Sequence, residues 1–290
     1  MTINIKTLDL RFQGVPGIIS AYLLVSGDEI ALVETGPASC RPALLSALLD
    51  YGVASGDVRK VFLTHIHLDH AGDAGWWAQQ DAQVYVHPNG APHVVDPSRL
   101  IESATRIYGD QMLTLWGEIL PAPADKVTAV TDLQDIPFGN ARLSAWDTPG
   151  HARHHHAWVV GKHCFTGDVA GVRLDGCPYL SVAAAPPQFE PPAYVASVQR
   201  LRAAHFEQLH LAHFGTVTDV DGHLATYERR IMEVTESVAR DPAGFTEAEH
   251  AIASSLGVSE ALWAKYESSN GTRMCLGGIS RWLEKRQRLS

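Results

Sequence analysis

The most constraining feature of the chain is the run T-H-I-H-L-D-H from Thr64 to His70, which sets three histidines and an aspartate within six positions and continues as A-G-D-A-G. The segment Val61 to Thr64 predicts a short strand ending directly at His65, and the pattern over Ala74 to Ala78 predicts a helix soon after. On extended chain, residues two apart point the same way, so His65 and His67 can share one ion. Asp69 and His70 then face a second ion as the chain turns into the helix. Imidazole and carboxylate are the donors a borderline divalent ion takes, and three or more protein ligands with an open position make a catalytic rather than a structural site. A lone histidine is an ordinary core or surface residue, but four such donors packed at one strand end have no comparable explanation.

At 290 residues, 46% hydrophobic and 19% charged, the chain has the composition of a packed globular protein. Lys and Arg number 23 against 32 Asp and Glu, a formal charge of −9, and no basic cluster longer than Arg229-Arg230 occurs. That balance argues against nucleic acid or an anionic membrane as partner. The N-terminus has no basic region leading into an apolar core, and the apolar stretch Gly17 to Val25 is too short to span a bilayer. A cytoplasmic protein is expected. Cys40, Cys164, Cys177 and Cys275 form no C-x-x-C pair, so buried, reduced thiols are expected rather than a disulfide framework or a cysteine-based zinc site.

Short β-rich runs alternate with helical ones in the first half of the chain. Ile18 to Ser26 and Glu29 to Val33 predict two strands joined at Gly27-Asp28, followed by a helix over Arg41 to Leu49 and a strand over Gln83 to His87. Leu100 to Leu120 has helical apolar spacing broken near Tyr108-Gly109, so two helical pieces are expected, either as a lid or side wall or as a helix pair packed on the body. Strands are expected at Lys126 to Val130, Ala141 to Trp146, His156 to Val160, His163 to Thr166 and Gln208 to Ala212. Helices are expected over Ala193 to His205, His223 to Arg240 and within Thr246 to Arg286.

Three further segments each set a candidate ligand after an expected strand: T-P-G-H ending at His151, F-T-G-D ending at Asp168, and L-A-H-F-G around His213. With these motifs in order, the chain resembles the metallo-β-lactamase superfamily, and within it the glyoxalase II-like branch of small-molecule hydrolases, over roughly residues 18 to 215. The resemblance implies an α/β (α+β) fold, a four-layer αβ/βα sandwich with a helical insert at about residues 98–122 and a helical C-terminal tail. It implies one domain over residues 1–290, with the core at 1–218 and a helical extension at 219–290. It further implies that His65, His67 and His151 bind one metal, that Asp69, His70 and His213 bind another, and that Asp168 bridges them. His155 occupies the place of a family histidine that is near the site but not a ligand, while His154 and His156 read as surface or packing residues. Glu34 stands where many relatives carry Asp, leaving open an outer hydrogen-bonding role beside the metals or a structural turn role. His93, like Tyr85 and His87, is a loop or strand-end residue that either touches substrate or faces solvent.

The cofactors expected are two divalent ions, zinc first, with iron or manganese as alternatives. Asp69 is the carboxylate placed to orient an attacking water and to hold its proton. The expected activity is hydrolysis of a small ester, thioester or lactone, with a small-molecule substrate as the only partner and homo-oligomer formation left open. The rival readings are an iron-dependent oxidoreductase of the same fold, persulfide dioxygenase-like or di-iron, then a nuclease, and last a non-catalytic metal-binding protein. The acidic balance and the short stretch between Asp168 and His213 disfavour the nuclease.

Overall fold

The computed structural model describes residues 3–288, which form two compact units, residues 3–147 with 154–165 and residues 148–153 with 166–288. The first unit opens with strands β1 (Asn4–Asp9), β2 (Ser20–Ser26) and β3 (Glu29–Val33), helix α1 (Arg41–Leu49) and strand β4 (Val58–Phe62). Helices α2 (Leu68–Ala71) and α3 (Ala74–Gln79) lead to β5 (Gln83–Val86), and α4 (Ala91–Val95), α5 (Ser98–Tyr108) and α6 (Met112–Trp116) lead to β6 (Val127–Ala129). Strands β7 (Asp135–Phe138), β8 (Ala141–Asp147), β9 (His156–Val160) and β10 (His163–Gly167) follow.

Strands β1 to β6 make one sheet in sequence order. Hairpins join the antiparallel pairs β1–β2 and β2–β3, whereas β3, β4, β5 and β6 run parallel. Parallel neighbours require a crossover, which is why helices stand only between those strands. The second sheet has the order β12 (Gly215–Val217), β11 (Gln208–Leu211), β10, β9, β8, β7. The expected α/β sandwich is therefore the architecture observed. Strands β1, β7 and β12 were not legible beforehand, because each is short and takes its place from a neighbouring ladder rather than from strong alternation.

The expected break near Tyr108-Gly109 is real: α5 stops at Tyr108, and Gly109 takes a φ of 51° before α6 begins. The insert packs on its own unit. Trp116 stacks on Phe12 with ring centroids 5.6 Å apart, and Ser39 Oγ donates to the Leu115 carbonyl at 2.6 Å. Ile107 and Leu113 point outward. Trp76 and Trp77 also pack as anchors, Trp77 in the core and Trp76 beneath the Arg41 guanidinium at 4.7 Å.

Two buried clusters fill this unit, one beneath the helices and one between facing sheet surfaces. Trp158 belongs to the second, its ring 4.9 Å from Phe62 and its indole N–H donating to the Leu63 carbonyl at 2.9 Å. Leu63 immediately precedes the histidine run, so core packing sets where that run begins. Trp158→Ala should destabilise the protein by about 3–5 kcal/mol, read as a lower denaturation midpoint with the slope unchanged.

The second unit contains α7 (Pro191–Ala203), β11 (Gln208–Leu211), β12 (Gly215–Val217), α8 (Val220–Arg240), α9 (Phe245–Ser255), α10 (Glu260–Asn270) and α11 (Thr272–Gln287). Helix α7 is capped by the Glu190 carboxylate, which accepts from the Ala193 N–H. Tyr194 on α7 and Tyr227 on α8 meet through their hydroxyls at 2.8 Å. Deeper in, Glu249 accepts from Arg230 at 2.6 Å and from the Tyr179 hydroxyl at 2.8 Å, so a buried charge is met on both sides. All four cysteines are buried and unbridged, as expected. No helix of the described residues is long and apolar enough to cross a membrane.

His223 on α8 is buried and its Nε2–H donates to the Ala170 carbonyl at 2.8 Å. Burial pushes this imidazole down to about 4, against the smaller opposing pull of that hydrogen bond. Its folded value lies below the unfolded value of about 6.5, so the unfolded chain takes up a proton that the folded one refuses. This contribution to stability is full above about pH 6.5 and is lost as pH falls toward 4, by on the order of 3 kcal/mol at the lower end. Wild type should lose stability on acidification more steeply than His223→Gln, measured by denaturant unfolding; equal slopes would contradict the assignment.

Candidate metal centre

In the first unit the histidine run leaves β4 and turns through the single-turn helix α2. Strand β4 stops at Phe62 rather than continuing to Thr64, because Thr64 is drawn to Glu34. The Thr64 hydroxyl is hydrogen-bonded to Glu34 Oε1, and it also lies 3.0 Å from His65 Nδ1. A carboxylate only accepts, so the hydroxyl donates to Glu34 and accepts from His65 Nδ1–H. The proton of neutral His65 is thereby held on Nδ1, and Nε2 presents a lone pair 3.0 Å from His67 Nδ1. Glu34 Oε1 lies 3.4 Å from His70 Nδ1 as well, which turns His70 Nε2 the other way, toward Asp69 Oδ2 at 3.5 Å.

Glu34 therefore orients two imidazoles from a fully buried position, 2% exposed. It does so with a φ of 66°, a left-handed backbone that is uncommon for a side-chain-bearing residue and that marks a constrained site. Glu34 thus occupies the turn and also contacts the Thr64 hydroxyl and His70. The turn is clamped further by the His70 carbonyl, which accepts from the Thr35 and Gly36 N–H groups at 2.9 and 3.0 Å. Arg41 grips buried Asp73 through both carboxylate oxygens, and the Asp73 N–H donates to the Gly36 carbonyl at 3.0 Å.

The imidazoles of His155 and His154 lie beside His65, with ring centroids 4.9 and 6.1 Å away. His154 and His156 are buried, so neither is a surface residue. Tyr85 stacks on Phe62 at 5.1 Å, and His93 is half-buried on α4. Tyr108 was not singled out as a site residue, yet burial and then the Asp69 carboxylate push its phenol up to about 12. The insert thus brings a protonated phenol into the field of Asp69.

The second unit carries the other three candidates. Asp168 follows β10, with His151 Nε2 3.3 Å from Oδ2 and His213 Nε2 3.4 Å from Oδ1. His151 Nδ1 donates to the Ala183 carbonyl at 2.8 Å. A carbonyl only accepts, so the neutral ring has its lone pair on Nε2, pointing at a carboxylate oxygen. Two acceptors at that distance in a buried place repel unless a proton or a cation lies with them. Ser269 on α10 lies 3.0 Å from His213 Nδ1, and Tyr194 donates to the Asp168 carbonyl at 2.6 Å. Neither Ser269 nor the Ala183 carbonyl carries a sequence signature. Both lie far along the chain from the histidines they orient.

In both units the donor set fits a divalent cation: His65, His70 and His151 have the proton held on the outer nitrogen, and carboxylates lie close to the inner nitrogens of His70, His151 and His213. The chemistry such a set supports is that of a catalytic metal centre.

Residues 14–213 match the sequence profile of the metallo-beta-lactamase superfamily. The chain belongs to that superfamily. It is similar to the metallo-beta-lactamase fold-containing protein ST1585 of Sulfurisphaera tokodaii, with 29% identity over 209 residues, 70% of this chain and 75% of that one. With the rat metallo-beta-lactamase domain-containing protein 1 it shares 52% identity over 141 residues, 49% of this chain and 44% of that one. The crystal structure of ST1585 superposes with a TM-score of 0.71 at 21% identity, covering 96% of this chain and 98% of that one. A metallo-beta-lactamase family protein of Thermus thermophilus, TTHA1429, gives 0.70 at 20% identity over 99% and 93%.

Glu34→Gln keeps the size of the side chain but removes the charge that holds the His65 and His70 protons outward. Metal affinity should fall about 10–100-fold, measured by competition with a chromogenic chelator. Unchanged affinity would show that Glu34 serves the turn alone.

Proposed function

We propose that the chain is a metal-dependent hydrolase of small esters, thioesters or lactones, whose two ligand groups form one dinuclear centre. His65, His67 and His151 would hold one ion and Asp69, His70 and His213 the other, with Asp168 shared. The observation that carries this reading is Asp168, each of whose oxygens faces the Nε2 of a different histidine. A carboxylate so disposed suits two cations better than one. Superfamily membership and the chain order of the motifs support the same pairing.

Two bound divalent ions, zinc being the first expectation, would supply a water acidified toward neutrality and a Lewis acid for the scissile carbonyl. The chain's own part is to hold and move protons. Asp69, whose side chain is 20% exposed, is more open to water than Asp168 or Glu34. It would orient the attacking water and keep its proton until the leaving group takes it. Tyr108, kept protonated near neutral pH, would stand as a hydrogen-bond donor at the insert side of that carboxylate. The acidic balance of the chain favours a small substrate over a nucleic acid. The glyoxalase II-like likeness points to the same substrate class.

The test is a panel of acyl thioesters, lactones, phosphodiesters and single-stranded RNA, assayed with protein loaded separately with zinc, manganese and iron. Acyl substrates should turn over fastest, and Asp168→Asn should lower both metal content and rate by at least about 100-fold in rate. Faster cleavage of RNA or a phosphodiester would overturn the acyl-hydrolase reading. Inert acyl substrates with oxygen consumed against a thiol or persulfide would replace it with an iron-dependent dioxygenase.

A further inference from the structure

The first unit gathers another donor set at the ends of three strands, apart from the ligands assigned above. His87 follows β5, Asp147 closes β8 and His156 opens β9. Asp147 and His156 are directly opposed in the antiparallel register, which brings their Cβ atoms within about 4.5–5.5 Å. The His87 ring lies 4.6 Å from the His156 ring, centroid to centroid, and its Nε2 lies 3.3 Å from Asp147 Oδ1. One ligand atom from each of the three residues lies within 4.8 Å of the others.

His156 is fully buried, and neither of its ring nitrogens has a hydrogen-bond partner among the described residues. A neutral imidazole has one donor and one acceptor, and a native core seldom leaves such groups unmet without an ion or a water in place. Burial, reinforced by neighbouring His87, pushes His156 down to about 3, so at neutral pH it offers a lone pair and no charge. The Asp147 side chain is 39% exposed, which gives the place a path to solvent.

We propose that His87, Asp147 and His156 form a mononuclear site for a divalent cation. Two imidazoles and one carboxylate suit zinc or a neighbouring first-row ion, with open positions left for water. At present His87 Nδ1 accepts from the Asn89 N–H at 2.9 Å, so the ring proton sits on Nε2 and faces Asp147. An ion at Nε2 takes that position, the ring proton moves to Nδ1, and the Asn89 amide gives up its bond. That exchange makes this the weaker site, filled after the dinuclear centre. An ion here would tie the end of β5 to the β8–β9 pair. The backbone N–H of His156 donates to the Thr64 carbonyl at 2.7 Å, so the tie would also brace the start of the histidine run.

The experiment is titration of the full-length apoprotein with Zn²⁺, followed by calorimetry, and with Co²⁺, followed by visible absorption. Wild type should bind one more equivalent, and a weaker one, than Asp147→Asn, a near-isosteric change at a partly exposed position. His156→Gln supplies a second comparison, with folding of both variants checked by thermal unfolding. Asp168→Asn, which weakens the proposed hydrolytic centre, should keep the weak equivalent and its absorption band. Equal stoichiometry for wild type and folded Asp147→Asn would overturn the inference. The difference between those two proteins is read whether or not the chain hydrolyses anything, so this site and the proposed function fail separately.

Discussion

The buried carboxylate of Glu34 is the interaction on which the first ligand group depends. One acidic side chain, held in a left-handed turn at the end of β3, reaches His65 through the Thr64 hydroxyl and His70 directly. A metal ligand must offer a lone pair, and a neutral imidazole has only one. Holding the proton on the outer nitrogen therefore decides which atom faces inward, before any ion arrives. The cost of burying Glu34 is offset by the donors that surround it, and the same contacts stop β4 short of Thr64.

The second unit reaches the same end by different means. The Ala183 carbonyl holds the His151 proton outward, and Ser269 stands against the outer nitrogen of His213. Asp168 then receives both inner nitrogens, one on each oxygen. The partners here are a backbone group and a helix side chain rather than a buried acid. Whatever the device, the result is a set of acceptors turned toward one another, an arrangement that favours a cation.

Much of the layout was legible in the chain itself. The helix Arg41–Leu49 and the strands around Gln83 and His156 lie where periodicity put them, because each buries one regular face. The break of the insert at Gly109 was legible because a positive φ there suits glycine. Strand β1, pairing residue by residue with β2, was not, since its residues are mostly half-buried and show no strong alternation. The burial of His156 was not legible for a similar reason. A histidine in a run of three looks like a polar surface, and only the opposed register with Asp147 and the approach of His87 show a buried donor set.

By itself the sequence determined which donor groups gather, because imidazole and carboxylate groups at strand ends are defined by residue type and by two-residue spacing. It also determined the superfamily, since the motifs occur in a fixed order. Tertiary structure alone decided which nitrogen of His65, His70 and His151 faces inward, that Glu34 contacts both the Thr64 hydroxyl and His70, and that Tyr108 enters the field of Asp69. Those properties arise from hydrogen bonds between residues far apart in the chain, such as His151 with Ala183 and His213 with Ser269. Local spacing does not encode such pairings; they exist only once packing has brought the partners together.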